Sequence, residues 1–263
     1  MSYWVLLSVS LLFSAVGFYM YIYFFSVGYG LSVAALGATL ALGFRRTLHP
    51  PELLMCLLLM VYGLRLSGYL LIRELKSAAY RKVLTPEMER SRRMSLVPKL
   101  AIWISCALLY TLEIIPLYFR LQNGAKPDAM LWIGLMVMLC GILLEIAADL
   151  QKTVAKRKAP YAFVSTGLFR IVRCPNYLGE LILWLGMLLG NATALRGPLQ
   201  WAAALAGYAL LVYIMFSGAR RLELRQDRNY GQDPAYQRYV QTVPILLPLV
   251  PIYTLKKHRW LAA

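Results

Sequence analysis

The sequence predicts an all-α, polytopic integral membrane protein, a single membrane domain over residues 1–263 with seven transmembrane helices. Two observations carry this. The chain is 60% hydrophobic and 15% charged, and its apolar runs repeatedly approach the roughly 20 residues that a helix needs to cross a bilayer. Its cations are also segregated, as they are when Lys and Arg collect in cytoplasmic loops. Residues 73–99 hold eight Lys and Arg, 152–173 hold six and the chain from Arg220 holds eight, whereas the alternate connections hold Arg45, Arg46, Arg120, Lys126 and Arg196.

The first expected span, 4–26, is long, tyrosine-rich and without a basic leader, unlike a cleaved signal. The second, 29–44, is short and closed by Arg45 and Arg46. Pro50-Pro51-Glu52 introduces the third, 53–72, with prolines suited to a first helical turn and a carboxylate that the helix dipole favours. The fourth, 100–118, carries Glu113 and then Pro116, a residue that kinks a membrane helix and opens backbone groups beside it. The fifth, 130–150, ends in a polar stripe; the short sixth, 178–192, follows a connector containing Pro and Gly; the seventh, 198–217, runs into Arg220 and Arg221. An odd number of spans places the N-terminus outside and the basic C-terminus in the cytoplasm.

The net charge of +16 is on this reading mostly topology, although cations gathered on one face also suit a polyphosphate ligand. No segment resembles a nucleic-acid-binding module, and the spans keep the basic segments apart. Cys56, Cys106, Cys140 and Cys174 lack a CxxC pair and read as free thiols; with His only at 49 and 258, no zinc or iron constellation is expected.

The polar residues inside and beside the spans are the candidates for chemistry. Glu145, Asp149, Lys152 and Lys156 recur at i, i+4, i+7 and i+11 and so share one face of a helix. Carboxylates lie deeper and cations nearer the cytoplasm, which suits a dinucleotide or, more simply, an ion-pair ladder at a helix end. Glu145 resists the simpler reading, because an ionisable group within a span usually faces a cavity or a partner. After Pro160, the connector Tyr161 to Pro175 contains Gly167, Arg170 and Arg173, and Asn176, Glu180 and Trp184 then follow one face of the sixth span. Asn176 reads either as the cap of that helix or as a donor and acceptor for a carboxamide. In the third span, Tyr62, Arg65, Tyr69 and Arg73 form a second stripe. A phenol there can donate to a substrate carbonyl while a nearby cation eases negative charge on the oxygen; the plainer alternative is a tyrosine bonded between helices. Glu52 and Glu113 are weaker, substrate-side candidates. Beyond the seventh span, Arg220, Arg221, Arg225, Tyr230 and Tyr236 offer guanidinium groups for phosphate and aromatic faces for a base.

In order and spacing these pieces resemble the steroid 5α-reductase family of membrane reductases. The matching residues are Glu145-x3-Asp149-x6-Lys156, then Tyr161-x5-Gly167-Leu-Phe-x2-Val172-x3-Asn176-x2-Gly179-Glu180-x3-Trp184, then the Arg220 to Tyr236 segment. The resemblance implies seven helices around a cavity that takes NADPH from the cytoplasm and a lipophilic, steroid-like substrate from the membrane. Residues 140–250 correspond to the NADPH-binding region, with contacts implied at Asp149, Lys156, Tyr161 and Asn176; residues 1–99 are more divergent. Tyr62-x2-Arg65-x3-Tyr69 is similar to the family's third-helix motif, whose first tyrosine polarises a 3-keto group. The family pairs that tyrosine with a glutamate on the second helix, but the second span here contains no acid. Glu52 lies ten residues before Tyr62, about 15 Å along one helix, too far to share an oxygen unless that helix breaks.

The implied activity is NADPH-dependent reduction of the Δ4 C=C bond of a 3-oxo-Δ4 steroid or similar enone, with no obligate protein partner. The alternative is an S-adenosylmethionine-dependent methyltransferase of the isoprenylcysteine type, because Arg173-Cys-Pro-Asn-Tyr-Leu-Gly resembles its Arg-x-Pro-x-Tyr-x-Gly turn. Asn176, Gly179-Glu180 and the Glu145/Asp149/Lys156 stripe fit the reductases better.

Overall fold

The computed structural model describes residues 1–76 and 78–261, whose regular secondary structure is helical. The α-helices are α1 (Tyr3–Ser14), α2 (Val27–Gly43), α3 (Pro50–Lys76), α4 (Ala78–Arg93), α5 (Leu96–Gln122), α6 (Ala129–Lys158), α7 (Pro175–Asn191), α8 (Gly197–Tyr230) and α9 (Pro234–Thr242). Among the described residues no strand occurs.

Among the described residues, six segments are long and apolar enough to cross a membrane: Tyr21–Gly43, Pro50–Lys76, Leu96–Gln122, Ala129–Lys158, Pro175–Ala194 and Gly197–Tyr230. The sequence led us to expect seven. The difference lies in the first run, where Tyr3–Phe18 is a shorter apolar helix. Its chain turns at Met20, which is extended at φ −147° and ψ 123°, and the Phe24 ring fills the space where Gly17 lacks a side chain. Hydropathy does not register such a break, because the residues around the turn, Phe18 to Tyr23, are all aromatic or aliphatic and none is charged.

The chain divides into two compact units, Met1–Leu135 with Met187–Gly207, and Met136–Gly186 with the residues from Tyr208 onward. In the first unit α2 and α3 touch backbone to backbone: a Cβ on Gly63 would lie 2.7 Å from the Ala34 nitrogen. Ser67 Oγ donates to the Val27 carbonyl at 2.9 Å across the same crossing. Small residues that admit close approach are the usual basis of helix association in lipid. Arg120, counted above as an ordinary loop cation, is fully buried. It donates to the Lys126 carbonyl at 2.9 Å, Asp128 at 3.0 Å, the Gly190 carbonyl at 3.2 Å and Thr193 at 2.9 Å. Helix α4 lies within the 73–99 segment, which the sequence reading counts only as a cation-rich connection. Its buried Leu84 and Ser91 face inward, Ser91 Oγ accepts from the Tyr21 amide at 3.0 Å, and Tyr21 donates its phenol proton to Glu87.

In the second unit α6 and α7 cross at two glycines. A Cβ on Gly179 would stand 2.8 Å from both the Gly141 carbonyl oxygen and the Glu145 nitrogen, and one on Gly141 would stand 2.8 Å from the Leu183 Cα. The two helices run antiparallel at this contact.

Candidate functional site

The polar stripe lies on one unbroken helix, α6, which continues well past the expected end at residue 150. Glu145 is buried, while Asp149, Lys152 and Lys156 are partly covered. Contact between Gly179 and the Gly141–Glu145 turn fixes the register of α7 against this stripe. One turn before Gly179 on the antiparallel partner, Asn176 therefore stands at about the level of Asp149.

Helix α7 starts at Pro175, a residue suited to the first helical position, so Asn176 is the second residue of the helix and Cys174 occupies the cap position. Capping does not account for Asn176. Its half-buried side-chain amide forms no hydrogen bond among the described residues. Glu180 and Trp184, one and two turns deeper on the same face, are buried.

The approach to α7 is held by structural contacts. Gly167 adopts φ +61°, a left-handed conformation that favours glycine, and the next amide, Leu168 N–H, donates to Gln151 Oε1 of α6 at 2.9 Å. Arg173 is buried and pairs with buried Glu223 of α8 at 3.2 Å. It also donates to the Tyr253 carbonyl, and Glu223 accepts from the Leu255 amide at 2.8 Å. Beside it, burial pushes the Cys174 thiol up to about 12, against the lowering pull of the Arg173 and Lys152 charges. Arg170 and Tyr161 are exposed on the connector.

The segment from Arg220 divides in the same way. Gly218 lies against the Tyr177 ring, with Tyr177 Cε2 3.3 Å from where its Cβ would be. Arg221 and Arg225, at i+3 and i+7 from Gly218, follow that side of α8 toward the start of α7; both are exposed. Arg220 instead donates to the Leu261 carbonyl at 3.1 Å and the Lys256 carbonyl at 3.5 Å.

Lys156 donates to the carbonyls of Pro160 at 3.2 Å and Ala162 at 2.7 Å and to the Tyr230 hydroxyl at 3.1 Å. Phe163 then forms the centre of an aromatic knot, its ring 5.9 Å from Tyr230, 5.3 Å from Tyr236 and 5.5 Å from Tyr239. Tyr236 is buried and donates to Asp227 at 2.8 Å, and Tyr239 donates to the Phe169 carbonyl at 2.7 Å. Burial raises the pKa of both phenols, with the Asp227 hydrogen bond adding to the rise at Tyr236.

In the first unit, Tyr62 is fully buried on α3. Its ring meets Tyr29 edge-on at 6.4 Å, Tyr29 meets Tyr110 at 4.9 Å, and the Arg65 guanidinium carbon lies 5.9 Å from the Tyr62 ring centre. Glu113, one turn from Tyr110 on α5, is also buried. Because α3 runs unbroken from Pro50 to Lys76, Glu52 stays about 15 Å along the helix from Tyr62 and does not share an oxygen with it. Glu52 is buried in the first turn of α3, 3.8 Å from His49 Nδ1.

Residues 23–243 match the model of a family described as a protein of unknown function, DUF1295. The chain belongs to the DUF1295 family. It is also similar to the steroid 5-alpha-reductase DET2 of Arabidopsis thaliana, at 38% identity over 56 residues, covering 20% of this chain and 21% of that protein. This DUF1295 chain therefore matches about a fifth of that relative's length.

In the DUF1295 chain, the residues that sequence reasoning passed over are Gln151, Phe163, Tyr239 and Glu223, together with Tyr29 and Tyr110 beside Tyr62. Glu223 carried a legible signal, as an acid set among Arg220, Arg221 and Arg225. The aromatic residues carried none, because an aromatic in a membrane protein is ordinary until its neighbours are known.

Proposed function

We propose that the protein is a membrane-embedded reductase that uses NADPH to reduce the activated C=C bond of a lipophilic enone, with a 3-oxo-Δ4 steroid as the model substrate. The observation that carries this reading is the α6–α7 pair. An uncommitted Asn176 amide stands level with Asp149, buried Glu145 and Glu180 lie deeper, and Lys152, Arg221 and Arg225 lie nearer the charged helix ends. That order suits a dinucleotide whose carboxamide and ribose hydroxyls meet Asn176 and the carboxylates and whose phosphates meet the cations. NADPH supplies the hydride, so the protein's own task is positioning and electrostatics. Tyr62 is the group we assign to hydrogen-bond the substrate carbonyl.

Arg173, Arg220, Lys156, Tyr230 and Tyr236 already hold other parts of the chain, and in this reading they shape the site. Exposed Tyr161 and Arg170 are available to meet the cofactor's adenine end. The partial similarity to a steroid 5-alpha-reductase supports the reaction class. The reading includes seven crossings of a bacterial inner membrane, with Tyr3–Phe18 as a short first one, an outside N-terminus and the three cationic segments in the cytoplasm.

A thermal-shift series on the detergent-solubilised protein with NADPH, NADH and S-adenosylmethionine tests it. A ligand at 100 times its Kd stabilises the folded state by about 2.7 kcal/mol. NADPH is expected to raise the melting temperature most. Stabilisation by S-adenosylmethionine and not by NADPH would replace the reductase with a methyltransferase.

A further inference from the structure

The chain from Arg220 onward carries a second cationic feature, separate from the α6–α7 pair. Residues 255–261 fold into a closed turn, in which the His258 amide donates to the Leu255 carbonyl at 3.1 Å and the Leu261 amide to the His258 carbonyl at 3.1 Å. Leu255 and Leu261 are buried and pin its two ends, and Arg220 of α8 holds the carbonyls of Leu261 and Lys256. The turn is thus fastened to α8, and what it presents outward is a basic and aromatic set: Lys256, Lys257, His258, Arg259 and Trp260 are all exposed. Lys256 pairs with Asp227. Lys257 and Arg259 form no ion pair among the described residues.

The position of the turn along α8 decides what it meets. Residues 197–219 of α8 contain no charged side chain, and Arg220 is the first. Trp260 stacks on Tyr213 at 6.1 Å, and its carbonyl accepts from the Tyr213 hydroxyl at 3.1 Å. Tyr213 lies seven residues, about 10 Å, on the apolar side of Arg220. The turn therefore spans the change from hydrocarbon-compatible to charged surface, with an indole that is 68% exposed at the depth where Trp and Tyr concentrate in membrane proteins.

We propose that this turn is a binding site for the headgroup of an anionic phospholipid, with Lys257 and Arg259 on the phosphate and Trp260 seated among the upper acyl carbons. Charge complementarity selects the anionic lipid: a cation at the surface of an anionic membrane is worth roughly a fivefold change in binding. The fixed geometry makes it a site as well as a charged surface, since Arg220 and the two buried leucines order the turn.

The test uses the full-length protein in mixed micelles containing either brominated phosphatidylglycerol or brominated phosphatidylcholine, with tryptophan fluorescence as the readout. The Trp260 contribution is the difference between wild type and Trp260→Phe. Quenching of that contribution is expected at a several-fold lower concentration of phosphatidylglycerol than of phosphatidylcholine, and Lys257→Ala/Arg259→Ala is expected to abolish the preference while leaving quenching by phosphatidylcholine in place. Equal quenching by both lipids in the wild type would overturn the proposal, as would a preference that survives in the double variant. Loss of the preference on adding NADPH would also overturn it, by assigning these cations to a soluble phosphate. Far-UV circular dichroism of each variant separates loss of binding from loss of fold.

Discussion

Asn176 and Tyr62 are each buried or half-buried polar groups in an apolar protein, and the two differ in what surrounds them. Asn176 sits at the second position of α7 with Pro175 before it, so its amide contributes nothing to capping that helix. Asn176→Ala is therefore expected to leave the melting temperature of the free protein nearly unchanged and to weaken NADPH binding by about tenfold, the equivalent of roughly 1.4 kcal/mol, measured by titration in detergent. A fall in stability with unchanged affinity would return the residue to a structural role. Tyr62 is packed against Tyr29 with a guanidinium beside its ring. Tyr62→Phe keeps the ring packing and removes the proton, so turnover of an enone is expected to drop by about 10²-fold while NADPH affinity holds. Unchanged turnover would remove Tyr62 from the chemistry.

At the scale of elements, close helix contacts set the registers. Gly179→Ala places a methyl group against the α6 backbone, and overpacking of this kind costs about 1–3 kcal/mol. A lower melting temperature is expected, together with weaker NADPH binding, because the shift of α7 carries Asn176 away from Asp149. The α5–α6 connection is governed differently. Burial works to raise the Asp128 carboxyl pKa, but hydrogen bonds from Thr193, the Leu131 amide and Arg120, with the Arg120 charge, outweigh it and hold the group below the usual carboxylate range. A depressed carboxylate stabilises the folded state above its unfolded pKa of about 3.9 and ceases to do so as pH falls through the lower, folded value. Melting curves are expected to show wild type more stable than Asp128→Asn at neutral pH, with the gap closing in acid. A gap that stays constant with pH would separate Asp128 from this linkage.

For the molecule as a whole, the segregation of cations is the feature with the widest consequence. If residues 73–99 face the cytoplasm and the α5–α6 connection faces the other side, a cysteine introduced at Thr85 in a cysteine-free background resists an impermeant maleimide applied to intact cells. One introduced at Lys126 is labelled. The reverse pattern would invert the orientation. The two compact units also part the candidate residues: Tyr62, Glu52 and Glu113 belong to one, and the α6–α7 residues belong to the other.

Six of the seven expected apolar helices and the shared face of Glu145, Asp149, Lys152 and Lys156 on α6 were determined by the sequence alone, because helical periodicity and bilayer thickness act on local spacing. Composition did not reveal that the first apolar run turns at Met20, since the turn is made by backbone conformation and by Phe24 packing on Gly17. Nor did charge type separate the arginines. Arg173, Arg220, Arg221 and Arg225 look alike in the sequence, yet tertiary packing buries Arg173 against Glu223, gives Arg220 the carbonyls of the 255–261 turn and leaves Arg221 and Arg225 exposed. Only the folded chain decides which cations are committed, because a guanidinium's role depends on acceptors contributed by residues distant in sequence.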